Sequence, residues 1–159
     1  MIVSIGSDHA GYPLKAKVVE ILEANRVEII DHGSYTPDPV DFPDIARLVC
    51  NSVRSNQASR GIMVCGTGVG ASIAANKIPG IRAAVCHDIH SAYQCVEHDD
   101  VNIMCIGAKI VGEWLAKDLI EAFIKAEFST EEHFRRRVRK LELIELDSAK
   151  ELRAKLSDF

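Results

Sequence analysis

Apolar and polar positions along the chain fall into two alternating kinds of segment. Short runs rich in β-branched residues, Ile2 to Ile5, Val27 to Ile30, Ile62 to Cys65, Ile81 to Cys86 and Val101 to Ile106, read as buried strands. Between them, Tyr12 to Ala24, Phe42 to Ser55, Ala71 to Lys77 and Ser91 to Glu97 carry apolar residues at helical spacing, and Ile110 to Ala126 does so after the last strand. Pro13 and Pro43 fit first turns, where a missing N–H costs nothing. Strands separated by helices pair in parallel, and right-handed crossovers put helices on both faces and all strand carboxyl ends at one edge. Open sheets of this kind bind ligands there, so the functional residues are expected to collect at that edge.

A further helix is predicted over 129–157. Ser129-Thr130-Glu131-Glu132 has the form of a capping box, with Ser129 as N-cap and Glu132 at the third helical position. Phe134, Val138, Leu141, Ile144, Leu152 and Leu156 then continue an apolar stripe over about 40 Å at 1.5 Å per residue. No strand follows it, and a small domain cannot cover a stripe of that length. Part of it is therefore expected on a second copy of the chain.

The 159 residues suit a single domain over 1–159, and 47% apolar with 26% charged residues is globular usage, which excludes a disordered or membrane-embedded chain. A net charge of -4 weighs against nucleic acid as a partner. No apolar stretch reaches the roughly 18 residues a membrane span needs. The five cysteines are odd in number and form no Cys-x-x-Cys pair, so they read as reduced thiols in a cytoplasmic protein.

Chemistry concentrates at three places. Asp8 and His9 end the first strand, ahead of Gly11 and Pro13; they suit a binding site, and equally a helix cap with a surface histidine. The third strand delivers Cys65 into Gly66-Thr67-Gly68-Val69-Gly70, a loop that exposes several N–H groups at a helix start and favours a thiolate there. A thiolate beside such donors can take a proton from the carbon next to a carbonyl while the N–H groups hold the enediolate. The plainer role is a small buried thiol, as expected of Cys86 and Cys105. Gly66-x-Gly68-x-x-Ala71, with Asp88 after the next strand, also fits a relaxed dinucleotide fingerprint, but the helix is short and the motif follows the third strand instead of the first. Last, His98-Asp99-Asp100 precedes the fifth strand and Lys109 follows it: a proton shuttle and a phosphate-holding cation by residue type. The basic run Arg135, Arg136, Arg137, Arg139 and Lys140 reads as a solvated helix face with Glu131 and Glu132 as i, i+4 partners.

Ser7-Asp8-His9-Ala10-Gly11, Val40-Asp41-Phe42-Pro43-Asp44, the Cys65–Gly70 loop with Ser72-Ile73-Ala74-Ala75-Asn76-Lys77, Gly80-Ile81-Arg82-Ala83 and Asn102-Ile103 together resemble the type B ribose-5-phosphate isomerases and their relatives acting on galactose or allose 6-phosphate. The likeness runs to about Ile144. It implies a Rossmann-like three-layer α/β/α fold with a five-stranded parallel sheet and a long C-terminal helix, and a homodimer or dimer of dimers with active sites shared between chains. It implies no metal and no cofactor. By the resemblance Cys65 moves a proton between C1 and C2, Gly66, Gly68, Val69 and Gly70 cradle the enediolate, His98 opens the furanose ring, and Asp8 and Thr67 contact the sugar. Phosphate falls to His9, Lys109, Arg137 and, one helical turn before it, His133. Four positions depart from the family pattern: Phe42 for tyrosine, Asp99 for asparagine beside the ring-opening residue, Lys109 for arginine, and His133 for arginine. The expected activity is interconversion of ribose and ribulose 5-phosphate in the non-oxidative pentose phosphate pathway. A six-carbon aldose phosphate, or a non-catalytic sugar-phosphate or nucleotide-binding module, stands as the alternative, with a redox-sensing thiol protein behind them.

Overall fold

Five parallel strands, β1 (Ile2–Ser7), β2 (Glu28–Asp31), β3 (Arg60–Cys65), β4 (Ala83–Val85) and β5 (Ile103–Gly107), pair in the order β2-β1-β3-β5-β4. Ile5 lies opposite Ile62, and Ile62 opposite Met104, so the middle of the sheet is a band of large aliphatic side chains. The computed structural model describes residues 1–157; Leu156, expected in the apolar stripe, lies outside the residues whose side chains are described, as do residues 158 and 159 of the expected domain.

Alternation along the strands decides which helix covers which face. Val3, Ile5, Ile62, Val64, Met104 and Ile106 point to α1 (Tyr12–Ala24), α4 (Ile89–Asp99) and α5 (Glu113–Lys125). Met63, Cys65, Ile103 and Cys105 point to α2 (Phe42–Arg54) and α3 (Val69–Ala75). Leu119, Ile120 and Phe123 of α5 are fully buried, each stabilising the fold by about 1.5–3 kcal/mol relative to exposure. The Rossmann-like three-layer arrangement implied by the family resemblance is therefore present.

Several boundaries move, each for a local reason. α3 begins at Val69 rather than Ala71, because Gly68 takes a left-handed φ of +82° and turns the chain into the helix immediately. β4 is three residues instead of six. Arg82, expected within it, gives its N–H to the Asn102 side chain instead of to a ladder partner, and its guanidinium lies 2.6 Å from Asp100. The capping box at Ser129 is not formed, and α6 (Glu132–Ser157) starts at Glu132 itself. The segment before it is spent on docking: Ser129 N–H donates to the Glu97 carbonyl, its carbonyl accepts from Arg135 Nε, and its hydroxyl accepts from Glu131 N–H. α6 buries Val138, yet Leu141, Leu143, Ile144, Leu146 and Leu152 stand exposed along it.

Candidate active site

From β1 the chain crosses to β2 over one face by α1, and from β2 to β3 over the other by α2, which opens a crevice between the carboxyl ends of β1 and β3. Asp8 and Cys65 flank it. The two loops touch: Asp8 N–H donates to the Val64 carbonyl, and a Cβ on Gly11 would sit 2.0 Å from that oxygen, so only glycine allows the start of α1 so close to β3. The Asp8 carboxylate is 7% exposed and its Oδ1 accepts Gly11 N–H at 2.8 Å. It does shape the entry to α1, while Oδ2 has no hydrogen-bond partner among the described residues and remains available to a ligand.

Cys65 is nearly buried, and Gly68 N–H points at its Sγ from 3.0 Å. The turn thus aims a backbone dipole at the sulfur, leaving Thr67 and Val69 exposed around it. Thr67 Oγ1 accepts from Val69 N–H at 3.4 Å, and Gly70 packs under the Phe42 ring, whose Cζ would be 3.0 Å from a Cβ there. Lys109 N–H donates to the Gly66 carbonyl, which brings its exposed side chain alongside the loop. His9 is exposed nearby, its Nδ1 accepting Val40 N–H at 3.4 Å. The end of β2, ahead of the loop carrying Val40, is anchored by Lys15, whose ammonium is bound by both oxygens of Asp31. His87 also stands at this edge, with Nε2 accepting Gly107 N–H at 3.1 Å, although no spacing in the sequence marks it. Asp88, which the dinucleotide fingerprint would assign to a ribose, serves here as the N-cap of α4: its two oxygens accept Ser91 N–H and the Ser91 hydroxyl.

The expectation that all site residues share the carboxyl edge is overturned. α4 runs back across the sheet, so His98 and Asp99 lie at the opposite edge, beside the turn into β5. There α6 packs on them. Phe134 stacks on the His98 ring at 3.9 Å between centroids and meets the His133 ring at 4.0 Å, while the Arg137 guanidinium lies 5.8 Å from the Phe134 centroid. His98 Nε2 and Glu97 are 3.4 Å apart, as are His133 Nδ1 and Glu131. A cleft of about 300 Å³ opens beside them, lined in part by Asp99, Arg82, Leu141 and Glu145. The anticipated i, i+4 pairs do not form: Arg139 reaches Glu132, and Arg135 lies over the Phe128 ring. One chain therefore carries two separate groups, Asp8, His9, Cys65, Thr67 and Lys109 at one edge and His98, Asp99, His133 and Arg137 at the other.

Residues 3–141 match the sequence pattern described as Ribose/Galactose Isomerase. The chain belongs to the ribose/galactose isomerase family. The Escherichia coli relative named ribose-5-phosphate isomerase B is 40% identical over 134 residues, 84% of this chain and 90% of that protein. The solved ribose-5-phosphate isomerase B of Clostridium thermocellum is 44% identical with a TM-score of 0.90, covering 93% of this chain and 99% of that one. D-erythrulose-4-phosphate isomerase of Pectobacterium atrosepticum is 37% identical over 129 residues, 79% of this chain and 84% of that protein. The family match ends at residue 141, so the outer part of α6, with Leu143, Ile144, Leu146 and Leu152, extends beyond it.

Proposed function

We propose that the chain is a cytoplasmic aldose–ketose isomerase that interconverts ribose 5-phosphate and ribulose 5-phosphate, and that it works as a homodimer or dimer of dimers with each active site built from two chains. The observation that carries the chemistry is Cys65 Sγ held 3.0 Å from Gly68 N–H at the switch-point crevice. The shared site rests on the two groups of residues found at opposite edges of one chain, neither complete alone, and on the exposed stripe of α6. No metal or cofactor is called for, since proton transfer and fixed backbone donors suffice for this reaction.

His98 of the partner subunit moves a proton from the anomeric hydroxyl to the ring oxygen and opens the furanose. Cys65 then removes the C2 proton from the open aldose. The electron pair shifts to the carbonyl oxygen on C1, and N–H groups of the Gly66–Gly70 loop stabilise the enediolate. Transfer of the O2 proton to O1 and return of the proton from Cys65 to C1 leave the ketose. Asp8 and Thr67 orient the hydroxyls, and His9 and Lys109, with the partner's His133 and Arg137, neutralise the phosphate dianion.

Turnover of ribose 5-phosphate by chelator-treated protein tests this reading. Cys65→Ala is expected to lose about 100-fold or more in kcat while still folding and binding substrate, the usual effect of deleting a positioned proton-transfer group. Near-normal turnover would remove Cys65 from the mechanism. A six-carbon aldose phosphate is the second reading, since Phe42, packed on Gly70 beside the loop, is one of the positions that depart from the family pattern. Comparing kcat/KM for four-, five- and six-carbon aldose phosphates decides between them, and turnover of none would leave a binding module.

A further inference from the structure

Two cysteines outside this chemistry stand side by side. Cys86 follows β4 and Cys95 lies within α4, with their sulfurs 3.8 Å apart and the Cys86 thiol donating toward Cys95. Cys86 is 1% exposed, whereas Cys95 is only half-buried. We propose that Cys86 and Cys95 form a dithiol that a hydroperoxide converts to an intrachain disulfide, Cys95 reacting first and Cys86 resolving. The inference is independent of the isomerase reading and uses no residue assigned to it.

The asymmetry of the pair sets the order of events. The hydrogen bond from Cys86, then the Val96 backbone and the positive charge of Arg60, hold the Cys95 thiol below its ordinary range, against the opposing effects of burial and Asp99. Donating that bond, together with burial, pushes Cys86 well up, while the Cys95 thiol in turn donates to the Ala92 carbonyl at 3.4 Å. Cys95 is thus the more exposed residue of the pair and the one whose thiol is held low, the two properties that select a cysteine for oxidation. Burial pushes Cys50 up to about 12 and raises Cys105, and neither has a sulfur in hydrogen-bond contact among the described residues. A disulfide requires a separation of about 2.05 Å, so the two sulfurs, 3.8 Å apart, must close by about 1.8 Å for the bond to form.

In the first step the Cys95 thiolate attacks one oxygen of the hydroperoxide. The O–O bond breaks, the departing oxygen takes a proton and leaves as water or alcohol, and Cys95 becomes a sulfenic acid. Next the Cys86 sulfur attacks the Cys95 sulfur; the S–O bond breaks, the Cys86 proton goes to the departing hydroxyl, and water leaves. Two thiols have lost two protons and two electrons to the hydroperoxide. A dithiol reductant returns them by exchange.

The test uses the full chain, folded, carrying Cys65→Ala to remove the thiol of the candidate active site, and treated with a few equivalents of hydrogen peroxide. Non-reducing peptide mass spectrometry is expected to find the Cys86 and Cys95 peptides linked with loss of two hydrogens, and dithiothreitol to restore them. With Cys86→Ser, sulfenic acid should accumulate on Cys95 and be trapped by dimedone. In protein without a substitution at the pair, iodoacetamide should label Cys95 before Cys86, and peroxide should protect both. Linkage that appears only after unfolding, faster labelling of Cys86, or no linked peptide at all would overturn the proposal.

Discussion

Phe134 holds the second group of site residues in place, and replacing it separates the roles that group is given. Its ring stacks on His98 at an interplanar angle of 17° and also meets His133 and Arg137. An aromatic pair contributes about 0.5–1.5 kcal/mol beyond its buried area. Phe134→Leu keeps much of the apolar volume but removes the flat face, so about 1 kcal/mol of the hold on His98 is lost. At about 1.36 kcal/mol per tenfold, that corresponds to about a fivefold loss in a step that depends on the imidazole's position. If His98 opens the ring, kcat for cyclic ribose 5-phosphate falls about fivefold, while kcat for an analogue lacking the hydroxyl that closes the furanose changes less than about twofold. KM should rise alike for both substrates, because Arg137 and His133 lean on the same ring. Steady-state kinetics on the two substrates, with circular dichroism to verify folding, makes the measurement. Equal loss of kcat on both, or an unchanged kcat on ribose 5-phosphate, would refute the ring-opening role.

Two further outcomes are expected. His133→Arg, which supplies a permanent charge with a planar donor fork, should lower KM for phosphorylated substrate about threefold at about pH 8; an unchanged KM would mean that His133 does not reach phosphate. Asp31→Asn leaves the Lys15 ammonium, 7% exposed, without its carboxylate and should cost about 3 kcal/mol in urea unfolding, the lower end for a broken buried pair because Asp31 is itself 31% exposed; a loss below about 1 kcal/mol would show that the pair does not anchor the β2 end.

Much of this organisation was legible in the chain. Strand runs and helix periods predicted five parallel strands with helices on both faces, and α1 matches its predicted bounds at Tyr12–Ala24. The Cys65 loop was equally clear, because glycine spacing directly encodes a turn that exposes N–H groups. What the pattern did not reveal depends on contacts between distant residues. Ser129 has the composition of a cap, but its backbone is engaged by Glu97, far earlier in the chain, and the helix starts later. His98 was identified by type, yet only the path of α4 places it at the far edge from Cys65. His87 and the Cys86–Cys95 pair have no linear signature, since each is created by a strand end meeting an element elsewhere in the fold.

If Cys65 and His98 act together only across two chains, mixing two defective proteins tests it directly. Cys65→Ala and His98→Asn are each expected to have little activity with ribose 5-phosphate. When they are unfolded together in equal amounts and refolded, a site shared across a two-fold axis gives every mixed dimer one fully native site and one doubly defective site. Random pairing then restores about a quarter of wild-type activity. If both residues served a site within one chain, every site in the mixture would keep a defect, and activity no greater than that of the separate variants would contradict a shared site.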